Sequence, residues 1–165
     1  MIELTSTPII ILAILGGVGV ALPVINIALK ERGSMISYGI ATLIALFAAI
    51  GYVFYQLALD HVAPAAIFSQ DVLVDDAFGS LFAIAMLIVA IFTTVGSFSY
   101  MKNKANPSIY FSLILLSAIG MVLVAYSTDL VMLFVAWELM SIPTYVLVGF
   151  LKKDPISNEA AIKYF

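Results

Sequence analysis

Apolar residues run along this chain in five long stretches that are separated by short polar connections. Each stretch holds roughly 19 to 24 residues, and about 20 are enough for a helix to cross the hydrocarbon core of a bilayer. The shorter alternating segments that are typical of transmembrane β-barrels are not present. The predicted spans are Pro8–Leu29, Ile36–Leu59, Ala77–Tyr100, Ser108–Tyr126 and Leu130–Phe150, and a sixth helix is predicted to begin near Pro155.

The composition is typical of a chain whose surface faces lipid. Of the 165 residues, 64% are hydrophobic and only 10% are charged, whereas a soluble domain carries about 25% charged residues. We therefore predict an all-α polytopic membrane protein, with five transmembrane helices and the start of a sixth in a single membrane domain over residues 1–165. The residues before the first span contain Glu3 but no Lys or Arg, and Lys30 and Arg32 follow that span. Because a secretory signal has the reverse arrangement, we expect the first span to be retained.

Basic residues in the connections alternate between the two sides of the predicted bundle. They follow the first, third and fifth spans, whereas the N-terminus, the Asp60–Asp76 connection and the Ser127–Asp129 turn contain none. These basic residues are Lys30, Arg32, Lys102, Lys104, Lys152 and Lys153. Cytoplasmic loops are enriched in Lys and Arg, so the distribution predicts a multi-pass protein of the plasma membrane with its N-terminus outside.

The Asp60–Asp76 connection carries four aspartates and one histidine, His61. An acidic loop with a histidine could bind a cation, but the spacing matches no metal motif, and we favour a solvated external loop. Within it, Ile67–Val74 is predicted to form a short hairpin strand or an interfacial turn. The chain has no cysteine, which excludes disulfides, iron–sulfur clusters and thiolate metal sites on it. No basic cluster suggests nucleic-acid binding.

Small and mildly polar residues inside the first four spans are interpreted as packing positions. Glycines let transmembrane helices approach each other closely. The glycines interpreted in this way are Gly16, Gly17, Gly19, Gly39, Gly51, Gly79 and Gly96. Hydroxyl groups in these spans are expected to bond the backbone of their own helix, without a chemical role, and they belong to Ser80, Thr93, Thr94 and Ser112.

Glu138 is the one charge placed deep inside a predicted span. It lies nine residues from Asp129 and twelve from Phe150, which places it near mid-membrane, about 13 Å from the outer boundary at about 1.5 Å per residue. A carboxyl group at this depth costs several kcal/mol unless it is protonated, paired or hydrated. Such residues usually face a polar cavity inside the bundle and often lie on ion or proton pathways.

Three neighbours of Glu138 support a polar site. Ser141 and Tyr145 lie within about 60° of Glu138 around the helix, which predicts a polar stripe on one face. Pro143 has no N–H to donate to the carbonyl of Leu139, so an acceptor is left one turn from Glu138. A free carbonyl beside a hydroxyl is suited to a bound water molecule. The alternative is a structural glutamate that stays protonated and bonds a neighbouring helix.

Lys163 is a candidate partner for Glu138 in the predicted sixth helix. Pro155 fits the first turn of that helix and Asp154 fits its cap. Lys163 then lies about two turns into the helix, roughly 10 Å above its cytoplasmic end. At this depth it fits either a snorkelling anchor or a residue of an ion pathway.

Two runs of sequence resemble a known family. One is Trp137–Phe150, which reads Trp-Glu-Leu-Met-Ser-Ile-Pro-Thr-Tyr-Val-Leu-Val-Gly-Phe, and the other is Asn158–Phe165, which reads Asn-Glu-Ala-Ala-Ile-Lys-Tyr-Phe. Both resemble the antiporter-like membrane subunits of respiratory complex I, and the run Asn158–Phe165 is most similar to the N-type subunit. The sequence Ser-Ile-Pro-Thr-Tyr is similar to the corresponding sequence in archaeal members, including those of deazaflavin-dependent relatives of complex I. The resemblance is specific over Asp129–Phe165 and weaker at Val74–Phe78. Elsewhere it is only topological, which means that the arrangement of spans is similar but the residues are not distinctive.

The resemblance implies a fourteen-helix subunit in which discontinuous helices form half-channels, joined at mid-membrane by charged residues and water. The family's fifth-span glutamate and the lysine of this Lys-Tyr-Phe context, both proton-pathway residues, match Glu138 and Lys163. The family's further lysines lie on later helices, beyond the start of the sixth span at which this sequence stops. The sequence therefore carries only one side of the implied path.

Three functions fit the sequence. The leading one is a proton-translocating membrane subunit of a complex I-type quinone oxidoreductase, linked to NADH or deazaflavin. As a subunit of that translocase the chain is expected to carry no redox site, because quinone and the redox cofactors belong to partner subunits. The alternative within transport is a subunit of a multisubunit sodium/proton antiporter or of a membrane-bound hydrogenase. The alternative of another class is a truncated or split structural membrane module with no transport of its own.

Overall fold

The computed structural model describes residues 7–29, 33–58, 65–66, 72–102, 104, 106–152 and 154–165. At residues 65 and 66 it describes only the backbone. Helices account for most of these residues, and five of the helices are long and apolar enough to cross a membrane. The predicted all-α polytopic fold is therefore confirmed. The elements in chain order are α1 (Thr7–Ala28), α2 (Met35–Ala58), β1 (Ala65–Ala66), β2 (Val74–Asp75), α3 (Ala77–Tyr100), α4 (Pro107–Tyr126), α5 (Leu130–Val148) and α6 (Pro155–Tyr164).

Aspartate side chains fix the starts of three helices. Asp76 accepts a hydrogen bond from Gly79 N at 2.7 Å at the start of α3. Asp129 accepts from Val131 N and Met132 N at 2.9 and 3.1 Å at the start of α5, and Asp154 accepts from Ile156 N at the start of α6. An acceptor at this position satisfies backbone donors that the helix itself leaves unpaired. The predicted cap at Asp154 is therefore confirmed.

The helix ends lie within two residues of the predicted span boundaries, and the largest difference is at the end of α5. This helix ends at Val148, whereas the apolar pattern continues to Phe150. Ser157 in α6 donates its hydroxyl to the Val148 carbonyl at 2.7 Å. Because this carbonyl is satisfied from outside the helix, the chain can leave the helix there and turn into α6.

α4 is the central helix of the bundle. It packs against α1, α2, α3 and α5, and it is the most buried of the five long helices, whereas α5 is the least buried. Its fully buried residues include Phe111, Leu115, Ala118 and Val122. The other long helices each bury one side against this core and leave many large apolar side chains exposed, as lipid-facing helices do.

The connections meet at two opposite ends of the bundle. At one end, Thr7 N at the start of α1 donates to Asp75 Oδ2 at 2.7 Å, and Thr128 N donates to Val72 O. At the other end, Lys104 and Lys152 line one cavity. This separation agrees with the predicted alternation of charge, and the outside location of the N-terminus stays a prediction. Lys30, Arg32, Lys153 and the acidic-loop residues Asp60, His61 and Asp71 lie outside the described residues.

A short hairpin forms in the Asp60–Asp76 connection, but it is displaced from the predicted segment. β1 pairs with β2 in an antiparallel register, with Ala66 opposite Val74. The predicted segment Ile67–Val74 therefore contributes the start of β2, and residues 67–71 within it lie outside the described residues. Leu73 also forms a β-bridge with Ser127, which joins the hairpin to the turn between α4 and α5.

The hydroxyl groups inside the spans divide into two kinds. Thr93 and Thr94 donate to carbonyls four residues back in α3, so this part of the prediction is confirmed. The prediction is wrong for Ser80, whose hydroxyl bonds the Tyr126 hydroxyl at 3.1 Å. It is also wrong for Ser112, whose hydroxyl donates to the Gly19 carbonyl of α1. Pro23 lies four residues after Gly19 and cannot donate to it, so Ser112 supplies the donor that α1 lacks.

Only some of the predicted glycines are close-packing positions. A Cβ atom at Gly39 would lie 2.4 Å from the ring of Phe98, and one at Gly79 would lie 2.9 Å from the Ala125 carbonyl oxygen. Within the described part of the chain, a Cβ atom at Gly17, Gly51 or Gly96 would meet no atom within 4 Å, so these three glycines do not pack against the described helices. Glycine content alone does not reveal which side of a helix faces a neighbour.

Candidate functional site

Glu138 lies almost at the midpoint of α5. The helix contains 19 residues and begins at Leu130, so Glu138 is its ninth residue. The two turns before it are apolar, and the two turns after it are apolar apart from Ser141 and Thr144. A helix of this length can span the hydrocarbon core, and Glu138 lies at the position along the helix that the sequence predicts.

The Glu138 side chain is half-buried on a helix that has little protein cover. Ala136, Ser141 and Pro143 are the buried residues of α5, and the large side chains of Phe134 and Trp137 are more than half exposed. Within the described part of the chain, the Glu138 carboxyl makes no hydrogen bond and no ion pair. A partner from outside these residues can therefore bind it. Without such a partner, an ionised carboxyl group inside a membrane span is energetically costly.

α5 is held closely against α4 directly after Glu138. Gly120 of α4 faces the backbone of α5 there, and a Cβ atom at Gly120 would lie 2.3 Å from Met140 N and 2.8 Å from Leu139 C. Ser117, one turn earlier in α4, donates its hydroxyl to the Met140 carbonyl at 3.1 Å. Close approach at a small residue and a hydrogen bond between helices are the two interactions that pack transmembrane helices most tightly. The depth and rotation of Glu138 are therefore set by this contact.

Sequence reasoning misses both α4 residues of this contact. Gly120 is not among the glycines interpreted as packing positions, and Ser117 is not among the hydroxyl groups considered. Their spacing, three residues apart on one helix, is the signal that could have found them, because residues at i and i+3 lie on the same face. Only the contact with Met140 shows that this face is turned toward α5.

The predicted polar stripe is not joined to Glu138 by hydrogen bonds. Ser141 is buried and donates to the Trp137 carbonyl at 2.7 Å, so its hydroxyl bonds its own helix just before Glu138. Pro143 is buried inside α5, which continues through it to Val148. Tyr145 places its ring 5.5 Å from that of Tyr164 and 5.4 Å from that of Phe165. Tyr145 therefore packs α5 against the end of α6.

Lys163 lies in α6 next to the two aromatic residues that contact Tyr145. Its ammonium group pairs with Glu159 Oε1 at 2.6 Å, and both side chains are largely exposed, at 74% and 65%. The pair has i,i+4 spacing with the glutamate first, which is the favourable order in a helix. The structure thus brings α6 against α5 but does not join Lys163 to Glu138. The proposed proton-transfer roles of these two residues stay predictions.

The class of protein follows from the fold and from one family match. The chain is a multi-pass helical membrane protein with a half-buried carboxyl midway along its fifth span. Residues 127–165, which include Glu138 and Lys163, match the family described as "NADH:quinone oxidoreductase/Mrp antiporter, TM". This match covers the region in which the sequence resemblance is specific.

Relatives of known name place the chain more narrowly among N subunits. It is 36% identical over 159 residues to NADH-quinone oxidoreductase subunit N 1 of Solibacter usitatus, covering 96% of this chain and 31% of the relative. It is 35% identical over 168 residues to NADH-quinone oxidoreductase subunit N of Desulfitobacterium hafniense, covering 99% of this chain and 32% of the relative. F(420)H(2) dehydrogenase subunit N of Methanosarcina mazei is 37% identical over 99 residues, covering 60% of this chain and 20% of the relative.

These matches confirm the resemblance to N-type subunits. They extend over nearly the whole chain, so the prediction that the resemblance is only topological before Asp129, except at Val74–Phe78, is wrong. The chain spans about a third of the length of the first two relatives. The activity of a complete protein, its substrates and its partners are therefore subjects for proposal.

Proposed function

We propose that this chain is part of a proton-translocating membrane subunit of a complex I-type quinone oxidoreductase, linked to NADH or to a deazaflavin. The observation that carries the proposal is the half-buried Glu138 carboxyl midway along α5, inside the segment that matches the family. A carboxyl group at this depth exchanges its proton at little cost only where water or a cationic partner reaches it. The names of the N-type relatives support the redox-linked form of this function.

In the proposed mechanism, Glu138 is one station of a proton path across the membrane. Redox energy released elsewhere in the complex changes the relative stability of its charged and neutral forms, so that it takes up a proton and later releases it. Lys163 is a second proton-transfer residue, and its ion pair with Glu159 must open before it can exchange charge with another group. Ser141, Pro143 and Tyr145 support the local shape of α5, and Ser117 and Gly120 fix its position.

The remaining chemistry belongs to partner subunits. We propose that this chain carries no redox site, and that quinone and the redox cofactors are bound by other subunits of the complex. Its partners are those membrane subunits and the bilayer, without nucleic acid, and its location is the plasma membrane. The absence of cysteine supports this division, because the chain has no thiolate ligands for an iron–sulfur cluster.

The test is to replace Glu138 with Gln in the complete complex and to measure proton translocation and quinone reduction in sealed vesicles. Glutamine keeps the size of the side chain but cannot exchange a proton. We expect proton translocation per quinone reduced to fall strongly in this variant. It should fall less in the matched variant Asp129→Asn, which changes an exposed carboxyl at the start of the same helix and keeps a capping oxygen. Unaltered pumping and electron transfer in the Glu138→Gln variant would overturn the proposed role.

A subunit of a multisubunit sodium/proton antiporter is the second candidate, because the matching family includes Mrp antiporters. The two functions differ in their source of energy. Transport by an antiporter persists without quinone and is driven by an imposed ion gradient, whereas transport by the redox-linked complex requires electron transfer. Proton translocation that is independent of quinone and dependent on sodium favours the antiporter.

A further inference from the structure

A cavity of about 780 Å³ lies at the end of the bundle where α4 begins and α5 ends. Its lining includes Lys104 from the α3–α4 connection, and Lys152 and Asp154 from the α5–α6 connection. Because two transmembrane helices terminate here, the cavity lies at the level of the bilayer surface. Nothing in the proposed proton path uses it.

The cavity is positively charged. Neither Lys104 nor Lys152 forms an ion pair within the described part of the chain. Asp154 is the one acid among the described lining residues, and its Oδ1 is occupied by a hydrogen bond from Ile156 N at 3.1 Å, where it caps α6. The described lining residues therefore carry two positive charges and one negative charge, and this net positive charge complements an anionic phosphate.

The polar rim continues into an apolar groove between α4 and α5. Ile109 and Val146 line the cavity on the two helices, and both side chains remain nearly half exposed, at 45% and 49%. Leu116 lies two turns after Ile109 and Ile142 one turn before Val146, so each shares a helix face with a lining residue, and both are exposed. Phe150 also lines the cavity, and its ring lies 5.1 Å from that of Tyr110. Cationic groups at the surface above an apolar groove match a phospholipid molecule.

We propose that this cavity binds an anionic phospholipid, with its phosphate between Lys104 and Lys152 and an acyl chain along the groove of Ile109 and Val146. Charge complementarity selects an anionic headgroup, and the adjoining apolar groove selects a lipid over a free anion. Basic pockets between transmembrane helices on the cytoplasmic side are a known mode of lipid-headgroup recognition. The proposal does not depend on proton transport.

The test uses the protein purified from its membrane in the assembly that it forms there. After removal of bound lipid, native mass spectrometry follows the titration with phosphatidylglycerol, with phosphatidylcholine, or with phosphatidylglycerol plus excess inorganic phosphate. The double variant K104Q/K152Q removes both ammonium groups, and K102Q is the matched control, because Lys102 is exposed in the same connection but does not line the cavity. A further variant, V146C, places the first cysteine in this cysteine-free chain inside the groove.

We expect phosphatidylglycerol to bind at least tenfold more tightly than phosphatidylcholine. We expect K104Q/K152Q to weaken that binding by roughly thirtyfold, from a contribution of about 1 kcal/mol for each lysine near an anionic lipid, and K102Q to leave it nearly unchanged. Equal affinity for the two lipids, or unchanged binding in K104Q/K152Q, would overturn the proposal. Displacement by inorganic phosphate would also overturn it in favour of a free-anion site. So would a crosslink from V146C to another transmembrane helix, since a protein segment would then occupy the groove.

Discussion

Substitution of Gly120 by alanine is expected to push α5 away from α4 at the turn that carries Glu138. The added Cβ atom would lie 2.3 Å from Met140 N and 2.6 Å from Met140 Cα. Both neighbours are backbone atoms, which cannot move aside by changing a rotamer. The two helices must therefore separate, and the hydrogen bond from Ser117 to the Met140 carbonyl, now 3.1 Å, lengthens with them.

The size of the effect follows from these distances. Ordinary Cβ contacts begin at 3.4 Å, so the contact with Met140 N falls about 1 Å short, and overpacking of this kind typically costs about 1–3 kcal/mol. For a chain of this size, each kcal/mol corresponds to a change of roughly 2–4 °C in Tm. Because proton transfer requires precise placement, a displacement of about 1 Å at Glu138 is also expected to reduce transport strongly.

The assay compares Gly120→Ala with Gly96→Ala by thermal unfolding of the purified protein and by transport in vesicles. Gly96 is the matched control, because a Cβ atom there would meet no atom of the described residues within 4 Å and alanine is the better helix former. We expect Gly120→Ala to lower Tm by several degrees and to reduce transport. The Tm of Gly96→Ala should equal or slightly exceed that of the unsubstituted protein. Indistinguishable Tm values for the two variants would refute the close contact between α4 and α5.

Three further predictions concern other contacts. Ser112→Ala leaves the Gly19 carbonyl without a donor and should destabilise the protein by about 1 kcal/mol in unfolding measurements. The double variant Pro23→Ala with Ser112→Ala should recover this stability, because residue 23 then has an N–H that can donate to Gly19. Tyr126→Phe removes the buried hydrogen bond to Ser80 and should lower the free energy of unfolding by about 1 kcal/mol. Full additivity of Tyr126→Phe and Ser80→Ala in a double-mutant cycle would contradict a hydrogen bond between the two residues. Lys163→Gln breaks only an exposed ion pair, so Tm should stay unchanged while proton translocation falls. Unchanged proton translocation would contradict the proton-transfer role of Lys163 and favour the snorkelling anchor.

The sequence predicted the helices well because burial in lipid leaves the backbone few alternatives. Apolar length located all five spans, and the cap at Asp154 follows from residue type and position. The depth of Glu138 also follows from counting residues along α5. These features are local, and they depend on the chain alone rather than on which helices are neighbours.

The contacts between helices could not be predicted from local pattern. The bond from Ser112 to Gly19 joins residues 93 positions apart, and Ser117 and Gly120 acquire their role only because their face of α4 meets α5. An apolar span offers similar side chains all round its surface, so periodicity does not select the buried side. The ion pair of Lys163 with Glu159 likewise shows that a residue can take a near partner instead of a distant one.

Infrared difference spectroscopy of the complete complex tests most directly whether Glu138 exchanges a proton during turnover. The carbonyl stretch of a protonated carboxylic acid is distinct from that of a carboxylate, so a change of protonation appears as a band between the resting and the reduced states. We predict such a band in the unsubstituted complex, its loss in Glu138→Gln, and its persistence in Asp129→Asn. A band that survives unchanged in Glu138→Gln would contradict the proposed role of Glu138 as a station on the proton path.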